Sequence, residues 1–332
     1  MIADNPADDQ NHREVRVRAI QLTEFGGPEL LTVSELPDPV PGDGEVVLDV
    51  LASGVNYADT HQTENSYLAK QTLPFIPGAE VVVRGSDGRR YATMVDGGGY
   101  AEKIAVRPSR LIAVPDRVDD GAALGALVQG STAYLLLHHA ARLEPGESVV
   151  VHAGAGGTGS QAIQLARRAG AGRIIATAST PEKRAITLEL GADVAVDSTT
   201  ADLKSALLEA NGGHRVDVVL EMTGGAVFDQ SLSALAPLGR LAYFGMASRT
   251  PPAPVIPGAL LARSRAVIGF WLVYVVARRP ELYTKAVGEL FGAIADGSLK
   301  PLPGAAYPLA EAADAHRALL TRTSVGKLIL RP

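Results

Sequence analysis

Residues 149–159 read Val-Val-Val-His-Ala-Gly-Ala-Gly-Gly-Thr-Gly, and few folds can accommodate such a stretch. A β-branched run enters a glycine turn, and apolar Ala162, Ile163, Leu165, Ala166 and Ala169 follow at helical spacing. The pattern predicts strand, tight turn and helix. Gly154, Gly156 and Gly159 satisfy G-x-G-x-x-G, in which glycines let the backbone turn sharply, approach a pyrophosphate and pack the helix on the strand. The helix start then offers free N–H groups and the positive end of its dipole to phosphate. A glycine loop alone also closes hairpins. Between this strand and this helix it points to a dinucleotide site.

From residue 148 the rest of the chain follows that lead. Strand patterns at 173–178, 194–196, 216–220 and 240–244 alternate with helical patterns at 181–190, 203–210 and 226–235. Thr180 and Pro181 are a natural N-cap and first helical residue, and Gly191 closes that helix. Five strands alternating with helices require right-handed crossovers and a parallel sheet covered on both faces, a Rossmann domain. The apolar run 266–277 is too short to span a bilayer as a helix and reads as a buried strand.

Before residue 119 the texture is different. Short strand patterns at 17–22, 31–33, 45–52, 79–84, 90–95, 101–106 and 110–114 are separated by Gly and Pro, which predicts a β-rich, barrel-like unit. Residues 121–139 read as a helix joining the two units, and helices follow at 282–295 and 309–320. The strand-like end 326–330 is expected to return to the first unit. Residues 1–16 read as a disordered leader, polar and acidic without the order of a signal peptide.

Composition narrows the chemistry. The chain has 332 residues, a net charge of −5 and no cysteine. The acidic balance gives no footprint for nucleic acid or an anionic membrane. Without cysteine there is no disulfide, no thiolate nucleophile and no sulfur-bound zinc, which fits a cytoplasmic location. The end of the second Rossmann strand, Thr177-Ala178-Ser179-Thr180, lacks the acid that bonds a 2′-hydroxyl in NAD enzymes, and Lys183 and Arg184 follow. Small hydroxyls and cations there favour a 2′-phosphate, hence NADPH, although Glu182 opposes it.

Four motifs carry a more specific likeness: Gly54-Val55-Asn56-Tyr57-Ala58-Asp59, Gln129-Gly130-Ser131-Thr132-Ala133-Tyr134, the turn from His152 to Gly159, and Gly326-Lys327-Leu328-Ile329-Leu330. In this order, over nearly all the chain after about residue 17, they resemble the zinc-free quinone oxidoreductase (zeta-crystallin-like) branch of the medium-chain dehydrogenase/reductase superfamily. The resemblance implies an α/β protein with a β-rich GroES-like catalytic domain (17–129 and 273–332) and a Rossmann doubly wound parallel-sheet domain binding NADPH (130–272). Where the superfamily's alcohol dehydrogenases hold zinc, this chain carries Asn56, Ala79 (before Glu80) and Gln129, none a usual zinc ligand.

The implied site follows residue by residue. Asn56 and Thr132 would meet the nicotinamide end, and Gly156, Gly157, Thr158 and Gly159 the pyrophosphate. Ser179 and Lys183 would meet the 2′-phosphate, and Phe244, Gly245, Phe270 and Trp271 would line the nicotinamide pocket. Tyr67 would stand near the acceptor as proton donor or as wall. A tyrosine common in NADPH-using relatives is Ser198 here, which weakens the 2′-phosphate reading. Read as residues alone, Asn56 could be a turn residue, Asp59 a partner of neighbouring backbone, and His61 a surface histidine rather than a proton relay reaching the cleft. Residues 138–139 read as packing and solvent histidines. The implied reaction is zinc-independent hydride transfer from NADPH to a quinone or α,β-unsaturated carbonyl. An enoyl-thioester reductase and a non-enzymatic NADPH-binding sensor or structural protein are the alternatives. A homodimer through the Rossmann sheet edge is also implied.

Overall fold

A computed structural model describes residues 16–332. The first part of the chain supplies short strands between glycine and proline turns. These are β1 (Arg16–Ile20), β2 (Val33–Pro37), β3 (Val46–Val55), then helix α1 (Tyr57–Thr63), β4 (Glu80–Arg84), β5 (Arg90–Met94), β6 (Lys103–Val106) and β7 (Ile112–Ala113). β1 and β2 pair antiparallel, and β3 is the spine on which β4 and β6 pair antiparallel. The predicted β-rich unit is there. Of the leader reading for residues 1–16, residues 1–15 lie outside the described residues. Arg16 opens β1 opposite Pro37, which corrects that boundary by one residue.

A helical rod from Asp120 to Ala140 joins the two units, built from α2 (Asp120–Gly125) and α3 (Ser131–Leu135). Wide π turns at Ala126–Gly130 and Leu136–Ala140 interrupt it. Such turns shift the side chains that follow by an extra residue and recur at functional sites.

Next come β8 (Ser148–Val151), α4 (Gly157–Arg168), β9 (Arg173–Ala178), α5 (Pro181–Glu189), β10 (Val194–Asp197) and α6 (Leu203–Ala210). β11 (Val216–Glu221), α7 (Gly225–Ala234), β12 (Leu235–Tyr243), α8 (Pro257–Leu261), β13 (Ala266–Gly269) and α9 (Leu272–Arg278) complete the unit. The strands lie in the order β10-β9-β8-β11-β12-β13, every pair parallel. This is the Rossmann order, reversing direction between β8 and β11. Strand alternation splits its core in two. Val149, Val151 and Ile174 pack with the rod, whereas Val150, Ile175 and Val219 pack with Leu207 and Phe228 on the other face.

The run 266–277 is not one buried strand. It is strand only to Gly269, half-buried at the sheet edge, and then turns into α9, where Val275 N–H bonds the Trp271 carbonyl and Tyr274 is exposed. A uniformly apolar run carries no periodicity to separate the two states.

Helix α10 (Pro280–Ala295), strand β14 (Pro303–Pro308), helix α11 (Ala312–Leu320) and strand β15 (Lys327–Arg331) end the chain. The tail returns as expected. β15 lies between β14 and β3, with Leu328 opposite Val55 and Leu330 opposite Ser53. Leu330 is fully buried in a cluster with Ile20, Leu22 and Ala315. Leu330→Ala is therefore expected to lower unfolding free energy by about 2–5 kcal/mol, read as a lower urea midpoint at unchanged slope.

Candidate active site between the two units

β8 delivers the glycine turn to the point where the strand order reverses, the crevice in which open α/β sheets hold their ligands. Ala153 takes a left-handed φ of 51°, Gly154 N–H bonds the Thr177 carbonyl at 2.9 Å, and Gly156 is the N-cap of α4. A Cβ on Gly159 would overlap the Ala153 carbonyl, and one on Gly154 would lie 2.8 Å from Thr187 Cγ2. The turn is closed to side chains. Gly157 and Thr158, half-buried like Gly156, open α4 with the backbone donors that a helix start leaves unpaired. Beneath the turn His152 is buried, with Nδ1 3.0 Å from Thr177 Oγ1 and Nε2 2.8 Å from Ser231 Oγ. It ties β8 to β9 and α7, and burial lowers its pKa to about 4, so it is neutral.

At the end of β9, Thr180 caps α5 by accepting the Lys183 N–H. Ser179 and Lys183 are both half-buried there. The Lys183 ammonium reaches across to the carbonyls of Arg322 (2.6 Å) and Ser324 (2.8 Å), on the loop before β15. Arg184 instead pairs with Asp197 at 3.0 Å.

Facing the turn is a buried polar cluster that joins both units. Lys327, on β15, donates to Val55 O (3.3 Å), to Asn56 Oδ1 (2.9 Å) and to Glu80 Oε1. Asn56 Nδ2 donates to the same Glu80 Oε1 at 2.8 Å, and Val128 N–H, in the first π turn, donates to Glu80 Oε2 at 3.0 Å. Glu80 is fully buried, and Lys327 is 3% exposed. From that turn the Gln129 carboxamide lies against Gly157, where any Cβ would overlap it, with its Nε2 3.5 Å from Asn56 Oδ1. Asp59 accepts the Asn56 backbone N–H at 2.8 Å, as expected, and also the Tyr100 hydroxyl at 3.0 Å. Burial raises its pKa to about 6.

The opposite rim is aromatic. Tyr57, His61, Tyr67 and Trp271 stand in ring contact in that order, with Trp271 Nε1–H donating to Tyr67 Oη at 3.0 Å. Burial raises the Tyr67 pKa, so the phenol keeps its proton and still has it to donate. Tyr57 Oη–H bonds the Ala247 carbonyl at 2.8 Å, and Arg249 reaches Glu64 and Thr60. His61 is not a surface residue. It is 9% exposed, held at Nδ1 by Ser66, because Tyr57 and Tyr67 cover its ring.

This architecture has close counterparts. The quinone oxidoreductase of Homo sapiens is 31% identical over 329 residues, covering 95% of this chain and 97% of that protein. The crystal structure of the Thermus thermophilus quinone oxidoreductase, also determined as its complex with NADPH, matches at 41% identity and a TM-score of 0.85. That match covers 95% of this chain and all of the other. The Escherichia coli quinone oxidoreductase complexed with NADPH matches at 29% identity and a TM-score of 0.86, over 95% of this chain and all of the other. The chain belongs to the quinone oxidoreductases of the medium-chain dehydrogenase/reductase superfamily. A family model described as zinc-binding dehydrogenase matches residues 157–290, which excludes positions 56, 79 and 129.

Zinc does not fit the residues at those positions in this quinone oxidoreductase family member. Position 79 is alanine, and Asn56 Oδ1 already accepts from an ammonium that would repel a second cation. Among the described residues no group of three or more His, Asp or Glu is placed to hold a metal. Of the residues singled out from sequence, Asn56 and Gly157 meet through Gln129, Tyr67 meets Trp271, and Phe244 N–H is held by the Glu221 carbonyl, next to Gly245. Phe270 and Trp271 lie just beyond β13 rather than within a strand, and Thr132 is buried on α3. Sequence reasoning passed over Lys327, Glu80 and Arg249 as functional residues.

Because His152 is held neutral in the fold but titrates near 6.5 when free, stability is full above that pH and is lost as pH falls towards 4. His152→Gln keeps amide bonds to Thr177 and Ser231 without a titrating group. It is expected to lose roughly 3 kcal/mol less than the parent between pH 7 and 4, measured by urea unfolding at both pH values.

Proposed function

We propose that the chain is a zinc-independent NADPH-dependent reductase acting on a quinone or an α,β-unsaturated carbonyl. The observation that carries this reading is the Gln129 carboxamide seated on Gly157, which brings the dinucleotide turn against Asn56. When bound, NADPH supplies a hydride. Everything else is done by the chain's own residues.

Gly156, Gly157 and Gly159 would admit the pyrophosphate, with Thr158 and the α4 backbone donors facing it. Ser179 and Lys183 would meet the 2′-phosphate, Lys183 exchanging two neutral carbonyls for a charged oxygen. Thr132, Phe244, Gly245, Phe270 and Trp271 would enclose the nicotinamide and exclude water. At the acceptor end Asn56 and the Tyr67 Oη–H provide donors for the oxygen that gains charge when hydride arrives. Hydrogen-bond donors and a proton from water suffice for that oxygen, and no Lewis acid is needed.

We read residues 130–272 as the cofactor half and 17–129 with 273–332 as the acceptor half. We also place the edge of β13 in a homodimer, since a parallel sheet edge with exposed Leu261 and Tyr274 beside it is normally covered. No helix among the described residues is long and apolar enough to cross a membrane.

The test is oxidation of NADPH and NADH with a panel of quinones, enones and one enoyl thioester. Preference for NADPH with a quinone or enone supports the proposal. Preference for the thioester, or tight binding without turnover, refutes it. Lys183→Glu is expected to weaken NADPH about tenfold and leave NADH nearly unchanged, read from nicotinamide fluorescence titrations.

A further inference from the structure

We infer that Lys327 and Glu80 are positioning residues that lock the Asn56 carboxamide in one orientation, so that Asn56 meets its ligand only as a hydrogen-bond donor. The inference rests on the function proposed above and names the chemistry of the atom that Asn56 contacts. An asparagine side chain can turn over, exchanging its acceptor oxygen and donor nitrogen. Here it cannot. An ammonium, which only donates, lies 2.9 Å from Oδ1, and a carboxylate oxygen, which only accepts, lies 2.8 Å from Nδ2. Turning the group over would set NH2 against ammonium and oxygen against carboxylate.

Among Lys327, Glu80 and Asn56 the bonding inventory then leaves one donor open. The three N–H groups of Lys327 are committed to Val55, Asn56 and Glu80. Glu80 Oε1 takes Lys327 and Asn56, and Oε2 takes the Val128 N–H. Of the two N–H bonds on Asn56 Nδ2, Glu80 uses one. The second is the one uncommitted donor among Lys327, Glu80 and Asn56, on a residue still 5% exposed at the domain junction. Lys327 on Oδ1 also draws charge out of the amide and strengthens that N–H as a donor. The group it suits is an oxygen acquiring negative charge, a carbonyl or quinone oxygen, rather than a hydroxyl needing an acceptor.

The pair acts through Asn56, so the effects of removing pair and asparagine should not add. Asn56→Ala is expected to lower kcat about a hundredfold, the usual scale for one donor to a developing oxyanion. The charge-balanced Lys327→Met/Glu80→Gln variant should lower kcat about tenfold or more, with the KM for NADPH little changed. Combined with Asn56→Ala it should lower kcat no further than Asn56→Ala alone. Losses that multiply would overturn the inference while leaving the proposed activity standing. A wild-type chain inert with every acceptor would overturn that activity and this inference with it.

The wild-type protein supplies a second measurement that needs no variant to fold. Its Asn56 side-chain NH2 signals, assigned by their loss in Asn56→Ala, are followed as 1,4-naphthoquinone is added in the presence of NADP+, an unreactive oxidised pair. One proton should shift and the other, held by Glu80, should stay. Movement of neither proton, or of both equally, would overturn the inference.

Discussion

A lysine and a glutamate 247 residues apart in sequence meet in an almost solvent-free junction, and much of the site is arranged about them. A buried charge without its partner is costly by several kcal/mol, so neither β4 nor β15 can take its place unless the other is present. Their meeting brings the end of the chain back onto β3, beside Asn56. It also recruits the first π turn, because Val128 N–H satisfies the second glutamate oxygen and Gln129 is thereby presented to Gly157. One ion pair thus aligns the β-rich unit, the connecting rod and the dinucleotide turn.

Much of the fold was legible because its elements are amphipathic or capped. The strand at Arg173–Ala178 and the helix at Leu203–Ala210 are found with the expected limits. A β-branched apolar run marks the first and helical periodicity the second, and between them Thr180 and Gly191 bound α5. Where these cues are missing, the reading failed. The run after Ala266 is apolar at nearly every position, so nothing in it marks the change from strand to helix at Phe270-Trp271. His61 failed for another reason. The two tyrosines that bury it do so through ring contacts no local spacing encodes.

The same distinction divides the site. The glycine turn is local chemistry and could be read from eleven residues. Asn56 was visible only because its surrounding motif resembles that of a known family. Lys327 and Glu80 left a signal that went unused, since each is a charge at the head of an apolar run, Lys-Leu-Ile-Leu and Glu-Val-Val-Val, that only an exposed arginine closes. Opposite charges in two strands that must both be buried imply a pairing. What sequence could not supply is the register that sets them side by side, with Leu328 opposite Val55 and Val81 opposite Ser53. Arg249 carried no such signal, and its role at the rim is set by a left-handed φ of 59° in a surface turn.

The contacts between the two units are unequal, and the inequality has a mechanical consequence. At the junction the links are the Gly326 N–H on the Ala155 carbonyl at 3.1 Å and the Gln129 carboxamide against Gly157, both backed by the buried Lys327–Glu80–Asn56 cluster of the β-rich unit. At the rim they are single hydrogen bonds, Tyr57 to Ala247 and Trp271 to Tyr67, and an ion pair between partly exposed Arg249 and Glu64. Partly exposed pairs of that kind are worth little, about 0–1 kcal/mol, and water replaces them readily. Disrupting the cluster behind the junction would instead strand a charge in a dry interior. The rim contacts are therefore the easier to part, while the Lys327–Glu80 pair, from within the β-rich unit, holds Asn56 beside the Gln129 that rests on the glycine turn.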